Sequence, residues 1–245
     1  MTGVRSELPD VHGNCPNRRD PGSGLHSFLP DRFPRQLHQW TRSGRQRSID
    51  GVCLTAREIL SPDRVSFDAI LQSLAVTTLS ALEVGAIVNA ERAAKDGAEI
   101  GGHPLSAYIY FSTEIEVVSE IGGNKALPVH IPEAFRRYIF PKGYIAVNGA
   151  RLTVSECNKL DGWFEVWLIP ETRRATNLDA RTVGDRLNIE IERGTQAIVD
   201  TVRDTLTEAL GNLKPRLEGL LAEKGLILED VLVRPLALEQ FRRTS

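Results

Sequence analysis

Cysteine is scarce in this chain. Cys15, Cys53 and Cys157 are spread unevenly over 245 positions, without metal-ligand spacing. An odd, sparse set argues against a disulfide framework and fits a reducing compartment. Long apolar runs are missing as well. None approaches the roughly 18–20 residues that span a bilayer. The N-terminus has no apolar segment of the signal-peptide kind, which argues against export. Nor is there an excess of charge of one sign: 30 basic and 32 acidic residues leave a formal net charge of −2. No global pull towards nucleic acid or membrane follows from that balance. What is present, 41% hydrophobic and 25% charged residues, is enough for one large domain or two small ones. The expectation is a cytoplasmic protein without nucleic-acid or membrane partners.

The chain repeats itself. "SIDGVCLTARE" (Ser48 to Glu58) returns as "AVNGARLTVSE" (Ala146 to Glu156), with Gly51 and Gly149 98 positions apart. "VSFDAILQSLAVTTL" (Val65 to Leu79) matches "FEVWLIPETRRATNL" (Phe164 to Leu178), and "VGAIVNAE" (Val84 to Glu91) matches "VGDRLNIE" (Val183 to Glu190), both at an offset of 99. Three blocks in one order at a nearly constant offset mark two tandem copies of a small domain.

The second copy reads as strands. "SAYIYFSTEIEVVSEIG" alternates and is β-branched, "GNKALPVHI" is a turn and a strand, and "PEAFRRYI" opens with Pro as a short helix does. "KGYIAVNGARLTVSECN", "GWFEVWLIP" and "DRLNIEIE" are further strands, separated by Gly, Asn and Asp turns. About six short strands per copy predict a closed antiparallel barrel. Asp50-Gly51 and Asn148-Gly149 favour positive φ and predict tight turns. Beyond the second copy, Ile198, Val199, Val202, Leu206 and Leu210 form one stripe at helical spacing. That stripe fits either a partner subunit or a helix folded back on its own chain. The expected class is all-β, two tandem six-stranded Greek-key barrels with a C-terminal α-helix.

The first 47 residues differ from this pattern. They are rich in Pro, Arg and Gly, show neither period, and carry eight Arg against four acids. The readings are a basic arm for nucleic acid, a loop-rich addition, or a damaged segment. Codons for "PDRFPRQLHQWTR", read one base out of frame, permit "IDFPVNFTNGLA", closer to a strand and turn. Sequencing the locus tests this hypothesis, and an intact frame would sink it. The expected divisions are therefore 1–47, a divergent or disordered part of the first barrel; 48–102, the rest of that barrel; 103–197, the second barrel; and 198–245, an oligomerisation helix and tail.

"EIGGHPLS", "FPKGYIAVNGARLTVSE", "LIPETRRATNL", "VGDRLNIEIE" and "TQAIVDTV" together resemble riboflavin synthase of the alpha-chain type, with two lumazine-binding repeats. The likeness runs from about Ser48 to Leu206, and "MTGV" resembles the family's opening "MFTGIV" without its Phe. The resemblance implies a homotrimer of two-barrel subunits. It implies dismutation of two 6,7-dimethyl-8-ribityllumazine molecules to riboflavin and 5-amino-6-(ribitylamino)uracil by four-carbon transfer, with no metal or redox cofactor. The site is expected between the N-terminal barrel of one subunit and the C-terminal barrel of the next. One lumazine must lose a proton from its 7-methyl group, so the protein has to stack two rings and offer proton acceptors and donors.

The resemblance also assigns residues. Cys53, His103 and Thr153 are the expected catalytic groups. In the first repeat, substrate contacts fall on Gly3, Val4, Cys53, Leu54 and Thr55, then on Asp68, Gln72 and Ser73 in a ligand loop that usually ends Lys-Glu-Thr. Cys53 alternatively reads as a small buried strand residue, and His103 as a structural histidine at a barrel edge. Ala107, Tyr108 and Ile109 are also expected contacts; Ser106-Ala107-Tyr108 stands at the family's Ser-Gly-His, so Tyr108 replaces a group that titrates near neutrality. In the second repeat the contacts are Lys142, Arg151, Leu152 and Thr153, then Ile169, Pro170, Glu171, Thr172, Arg173 and Arg174, and last Glu192. Lys142 alternatively reads as a solvated turn lysine. Asn148 stands where Asp is usual, Arg151 where Ser is usual, and Glu192 where Asp is often found. A chain that kept ligand contacts but lost proton-transfer groups would be a lumazine- or flavin-holding relative. That is the alternative, beside a frame-damaged inactive homologue.

Overall fold

Alternation of apolar and polar side chains makes each strand one-sided, and two antiparallel sheets bury those sides. A computed structural model describes residues 4–7, 25–28, 44–61, 64–83, 85–93, 102–211 and 213–225. Cys15, Gly3, the segment "PDRFPRQLHQWTR" and the tail from Leu226 to Ser245 lie outside the described residues. The chain divides into a unit from Met1 to Gln196 and another from Ala197 to Ser245.

In the first unit the strands of the first repeat are β1 (Val4–Glu7), β2 (Leu25–Phe28), β3 (Gln46–Ile49), β4 (Val52–Ser61), β5 (Arg64–Ile70) and β6 (Ile87–Arg92). They pair in the order β1-β6-β3-β4-β5-β2. The second repeat contributes β7 (Phe111–Glu114), β8 (Ser119–Ile121), β9 (Asn124–His130), β10 (Tyr144–Val147), β11 (Ala150–Asn158), β12 (Trp163–Leu168) and β13 (Arg186–Ile191). Their order, β7-β13-β10-β11-β12-β9-β8, repeats the first with β8 added at one end. A bridge from Ile115 to Val129 brings the chain beyond β7 back to β9 and closes this sheet on itself. Non-consecutive neighbours such as β10 and β13 are the Greek-key signature. Both long central strands carry a bulge at matching places, Ala56/Glu58 and Val154/Glu156, which bends them around the core.

The cores follow the alternation. Ile49, Leu54, Ala56, Phe67 and Val88 are buried in the first repeat; Leu127, Ile145, Val154, Phe164 and Ile189 are buried in the second. A short helix joins the same two strands in each: α1 (Leu71–Val76) before a 3-10 turn at Thr78–Ala81, and α2 (Pro170–Ala175) before one at Asn177–Ala180. The segment expected to form a short helix is a 3-10 helix, Glu133–Tyr138.

Several expectations change here. The segment before Ser48, which has no strand period, supplies β1 and β2 at the two ends of its sheet, with β3 starting at Gln46. Ser106 to Tyr110 reads as strand but forms none. Ala107 takes φ 58 there, a left-handed conformation that interrupts a strand. Asp68 belongs to β5, and Gln72 and Ser73 to α1, not to an open loop. The second repeat has seven strands instead of six because β8 forms a hairpin with β9.

The C-terminal helical stretch is two helices, α3 (Arg193–Gly211) and α4 (Lys214–Ala222). Pro215 lies in the first turn of α4, where its missing N–H costs nothing but where an uninterrupted helix would need that donor. Ile198, Val202, Leu206 and Leu210 on α3 are all exposed.

Candidate functional site

The repeated Asp/Asn-Gly pairs form turns, and the two turns meet. Asp50 and Gly51 have φ of 43 and 84; Asn148 and Gly149 have 47 and 75. A Cβ on Gly51 would stand 2.8 Å from the Gly149 backbone nitrogen, and one on Gly149 would stand 2.9 Å from that of Gly51. Only glycine permits this back-to-back approach.

Around the turns runs a buried polar network of near two-fold form. The Asn89 N–H donates to Asp50 Oδ1 (2.7 Å), and the Asn188 N–H to Asn148 Oδ1 (2.8 Å). The side-chain amides cross over: Asn89 Nδ2 donates to the Asn148 carbonyl and Asn188 Nδ2 to the Asp50 carbonyl, each at 2.9 Å. The Thr78 N–H donates to Asn188 Oδ1 and the Asn177 N–H to Asn89 Oδ1. Asn148 therefore sits in the seam between the barrels, wholly buried, and not at an open reacting surface. The seam departs from symmetry in its charge. Burial pushes the Asp50 carboxyl up to about 6, against the hydrogen bond from Asn89, Arg181 and the hydrogen bond from Asn177. Arg181 stands 3.7 Å from Asp50 Oδ2, an oxygen that accepts no hydrogen bond.

The segment entering the second barrel docks beside this seam. The carboxylate of Glu190 accepts from Ser106 N (2.6 Å), Ser106 Oγ (2.8 Å) and Ala107 N (3.1 Å). The Cys53 N–H donates to the Ala107 carbonyl at 3.0 Å. Burial raises the Glu190 carboxyl, and the Ser106 and Ala107 donors oppose that rise. His103 is buried, stacks on Tyr144 with centroids 4.8 Å apart, and accepts at its carbonyl from Arg151 Nε (2.8 Å). Burial and then Arg151 hold its imidazole below the usual histidine value, against the pull of Glu192. The ring is therefore neutral at pH 7, able to accept or donate one proton. Arg151 also pairs with Glu91 at 3.5 Å, linking β11 to β6. Burial raises the Cys53 thiol, which makes it a weak donor and not a ready thiolate.

The candidate ligand triplets split by strand alternation. Leu54 and Leu152 are buried, whereas Thr55 and Thr153 are exposed and Cys53 and Arg151 half-buried. The two leucines serve the cores, and their neighbours form an outer face in each repeat. Thr55 lies opposite Asp68, and Thr153 opposite Tyr144. On the first repeat that face continues to the exposed Ile70 and Gln72; on the second, to Ile169, Pro170 and Glu171. Thr172 is buried and Ser73 half-buried.

Other expected contacts are engaged elsewhere. Glu171 and Arg174 pair with each other at 2.6 Å. Arg173 is tied to Asp179 and Glu120. Glu192 caps α3 through Gly194 N (2.8 Å) and Thr195 N (2.5 Å). Tyr108 is exposed, with the Arg193 guanidinium 5.8 Å from its ring centroid. Ile109 is half-buried against the first core. Lys142 is an exposed turn residue with φ 67. Val4 opens β1 opposite Ala90.

Sequence reasoning missed Asn89, Asn188, Asn177, Glu190 and Tyr144. The first two were visible as the shared Asn of "VGAIVNAE" and "VGDRLNIE". Glu190 was visible too, as the Glu those blocks share with Glu91, but its partners, mostly backbone N–H groups, leave no sequence signal.

Known proteins share this pattern. The family described as "Lumazine binding domain" matches residues 27–93 and again 111–192. Riboflavin synthase of Escherichia coli (strain K12) is 38% identical over 175 residues, covering 71% of this chain and 81% of that protein. Riboflavin synthase of Buchnera aphidicola subsp. Schizaphis graminum is 37% identical over 190 residues, covering 77% and 89%. Among solved structures, LumP complexed with riboflavin superposes with a TM-score of 0.67 at 21% identity, over 78% of this chain and 97% of that one. LumP complexed with 6,7-dimethyl-8-(1'-D-ribityl) lumazine gives 0.64 at 22%. At such identities the likeness concerns the fold.

Proposed function

Because the chain belongs to the riboflavin synthase family, with a lumazine-binding domain in each repeat, we propose that it converts two molecules of 6,7-dimethyl-8-ribityllumazine into riboflavin and 5-amino-6-(ribitylamino)uracil. The observation that carries this reading is the pair of matching outer faces, Thr55 opposite Gln46 with Ile70 beyond, and Thr153 opposite Tyr144 with Ile169 beyond. Two similar faces suit two identical ligands. The reaction moves a four-carbon unit from one ring to the other, so the protein's main task is to hold two rings face to face. Loss of the 7-methyl proton to a base leaves an anion delocalised over the ring, and the substrate thus supplies much of its own acidity. In this reading the neutral His103, the Cys53 thiol and the Thr153 hydroxyl serve proton movement near the reacting carbons. The short polar side chains and backbone of the loops hold the ribityl chains.

A site shared between subunits needs an assembly, and we assign that role to a homotrimer joined through α3. The exposed stripe of Ile198, Val202, Leu206 and Leu210 supports it. Among the described residues no helix is long and apolar enough to cross a membrane. We place the chain in the cytoplasm, where the synthesis of a small soluble cofactor precursor would occur.

The test is to add 6,7-dimethyl-8-ribityllumazine to purified chain. Riboflavin is followed by absorbance and fluorescence, and bound ligand is measured separately. Riboflavin accumulating over many turnovers is expected, and would mean that Tyr108, Asn148 and Arg151 are compatible with catalysis. Binding without riboflavin would move the chain to the ligand-holding relatives and refute the proposed activity, as would the absence of both riboflavin and bound ligand.

A further inference from the structure

The segment that joins the two repeats is held at two places, each time by one residue from either repeat. Offsets of 98 and 99 make Cys53 and Arg151 equivalent on β4 and β11, and Glu91 and Glu190 equivalent on β6 and β13. At Ser106 and Ala107 the holding pair is Glu190 of the second repeat with Cys53 of the first. At His103 it is Glu91 of the first with Arg151 of the second. The same two positions are thus used twice.

What the segment presents at the two places differs. Ser106 and Ala107 offer backbone N–H groups, which the Glu190 carboxylate accepts directly. His103 offers a carbonyl oxygen. An ionised carboxylate cannot bond a carbonyl, since neither donates. Arg151 supplies donors for both. Its Nε donates to the His103 carbonyl at 2.8 Å, and its Nη1 stands 3.5 Å from Glu91 Oε1. A planar guanidinium with five donors can serve two acceptors at once, as an ammonium in that place could not in the same geometry. The Arg151 side chain is only 16% exposed. The joining segment passes close to its stem, for a Cβ on Gly102 would stand 3.7 Å from Arg151 Cδ.

This brace bears on the neighbouring ring. The His103 imidazole lies on Tyr144 with an interplanar angle of 18°, and Tyr144 stands opposite Thr153. Arg151 and Thr153 are two apart on β11 and share its outer face. A backbone held at its carbonyl and a ring held by stacking leave the imidazole little freedom beside Thr153. We propose that Arg151 is a positioning residue, which fixes His103 over the outer face of the second repeat by bridging its carbonyl to Glu91 of the first. Arg151 does this without touching the ligand. The proposal rests on the reading of that face as a lumazine site. The groups facing the ring are Arg151, Glu192 and Tyr144, with Glu91 beyond Arg151. Of these, Arg151 opposes protonation of the imidazole and Glu192 favours it.

The test compares full-length wild type, Arg151→Met, Arg151→Lys and Glu91→Gln in turnover of 6,7-dimethyl-8-ribityllumazine across pH. It also follows titration of the His103 imidazole by NMR, assigned with His103→Gln. Arg151→Met keeps the apolar stem and removes the donors. Its kcat is expected to fall about tenfold or more, since a reacting group displaced by about 1 Å can cost on the order of a hundredfold. Its KM should change by less than about twofold, because the ligand's own contacts remain. The His103 titration should move to higher pH, and the acid limb of kcat with it, because a cation that opposes protonation is gone. Arg151→Lys should recover part of kcat, since it keeps the charge but not the fork. Glu91→Gln should lower kcat by about twofold with KM unchanged, as expected for loss of a part-exposed ion pair.

A raised KM with kcat intact overturns the proposal and makes Arg151 a ligand contact. An unmoved His103 titration in Arg151→Met overturns it as well. If Arg151→Met does not fold, the other two variants decide: graded losses of kcat uphold the brace, and wild-type kcat in both overturns it. A wild-type chain that forms no riboflavin overturns the functional reading itself, and the His103 titration then still shows whether Arg151 holds that residue.

Discussion

Asp50 and Asn148 hold equivalent turns, yet only one of them can carry a proton. Both are wholly buried, and two carboxylates in that seam would repel each other across a low dielectric. The remaining carboxylate titrates at about 6, raised chiefly by burial. A raised acid favours the folded state while it is protonated. Its contribution is therefore fully present below the unfolded value near 3.8 and is lost as pH rises through about 6. The span corresponds to on the order of 3 kcal/mol. Asp50→Asn, which copies the other repeat, is expected to be more stable than wild type at pH 8 and to lose that advantage below pH ~4. Denaturation midpoints across pH check this, and parallel profiles for the two chains would refute it. At this scale the sequence was legible in part. The Asp-Gly and Asn-Gly pairs announced tight turns, and the turns are there. That they face each other was hidden, because Gly51 and Gly149 lie 98 positions apart and meet only through the fold.

At the scale of elements, the turns and the start of α3 carry the sharpest consequences. Gly51→Ala puts a methyl group within 2.8 Å of a backbone nitrogen, at φ 84. Backbone cannot yield as a flexible side chain can, so a loss of about 2–4 kcal/mol is expected, read from denaturant unfolding. A loss well under 1 kcal/mol would mean that the barrels part at little cost. Glu192 has a different role. Burial works against its charge, but the N–H groups of Thr195 and Gly194 outweigh that and hold the carboxyl below its ordinary value. Glu192→Ala should cost about 1 kcal/mol, by loss of the cap and of a favourable charge at the helix N-terminus. A depressed acid stabilises above its unfolded pKa, so this difference should fade as pH falls through the folded value. Unfolding of the variant at neutral and acidic pH checks both points. Most elements were readable beforehand, since "GWFEVWLIP" and "DRLNIEIE" alternate as strands must. "SAYIY" alternates too, but Glu190 and Cys53 bind its backbone out of any sheet, and no local pattern encodes that.

For the whole molecule, the repeat and the exposed stripe of α3 determine what assembly can do. If α3 joins three copies, Leu206→Asp should convert the trimer to monomer in light scattering and abolish riboflavin formation while each barrel stays folded by circular dichroism. A wild-type chain that is monomeric at working concentration would remove the premise.

The sequence by itself determined the two copies, their barrel class and their family, because strand alternation, turn residues and a near-constant offset are local or additive signals. It also put Cys53, Leu54, Thr55, Arg151, Leu152 and Thr153 together as contacts, and the structure buries the two leucines and leaves the others half-buried or exposed. Only the tertiary structure decided that Asn148 belongs to a seam, that Arg173 faces a hairpin and that Glu192 caps a helix. Each of those roles depends on a partner group brought close by folding, at 2.5–3.0 Å, and hydrogen-bond strength falls away too steeply with distance and angle for a linear pattern to foretell it.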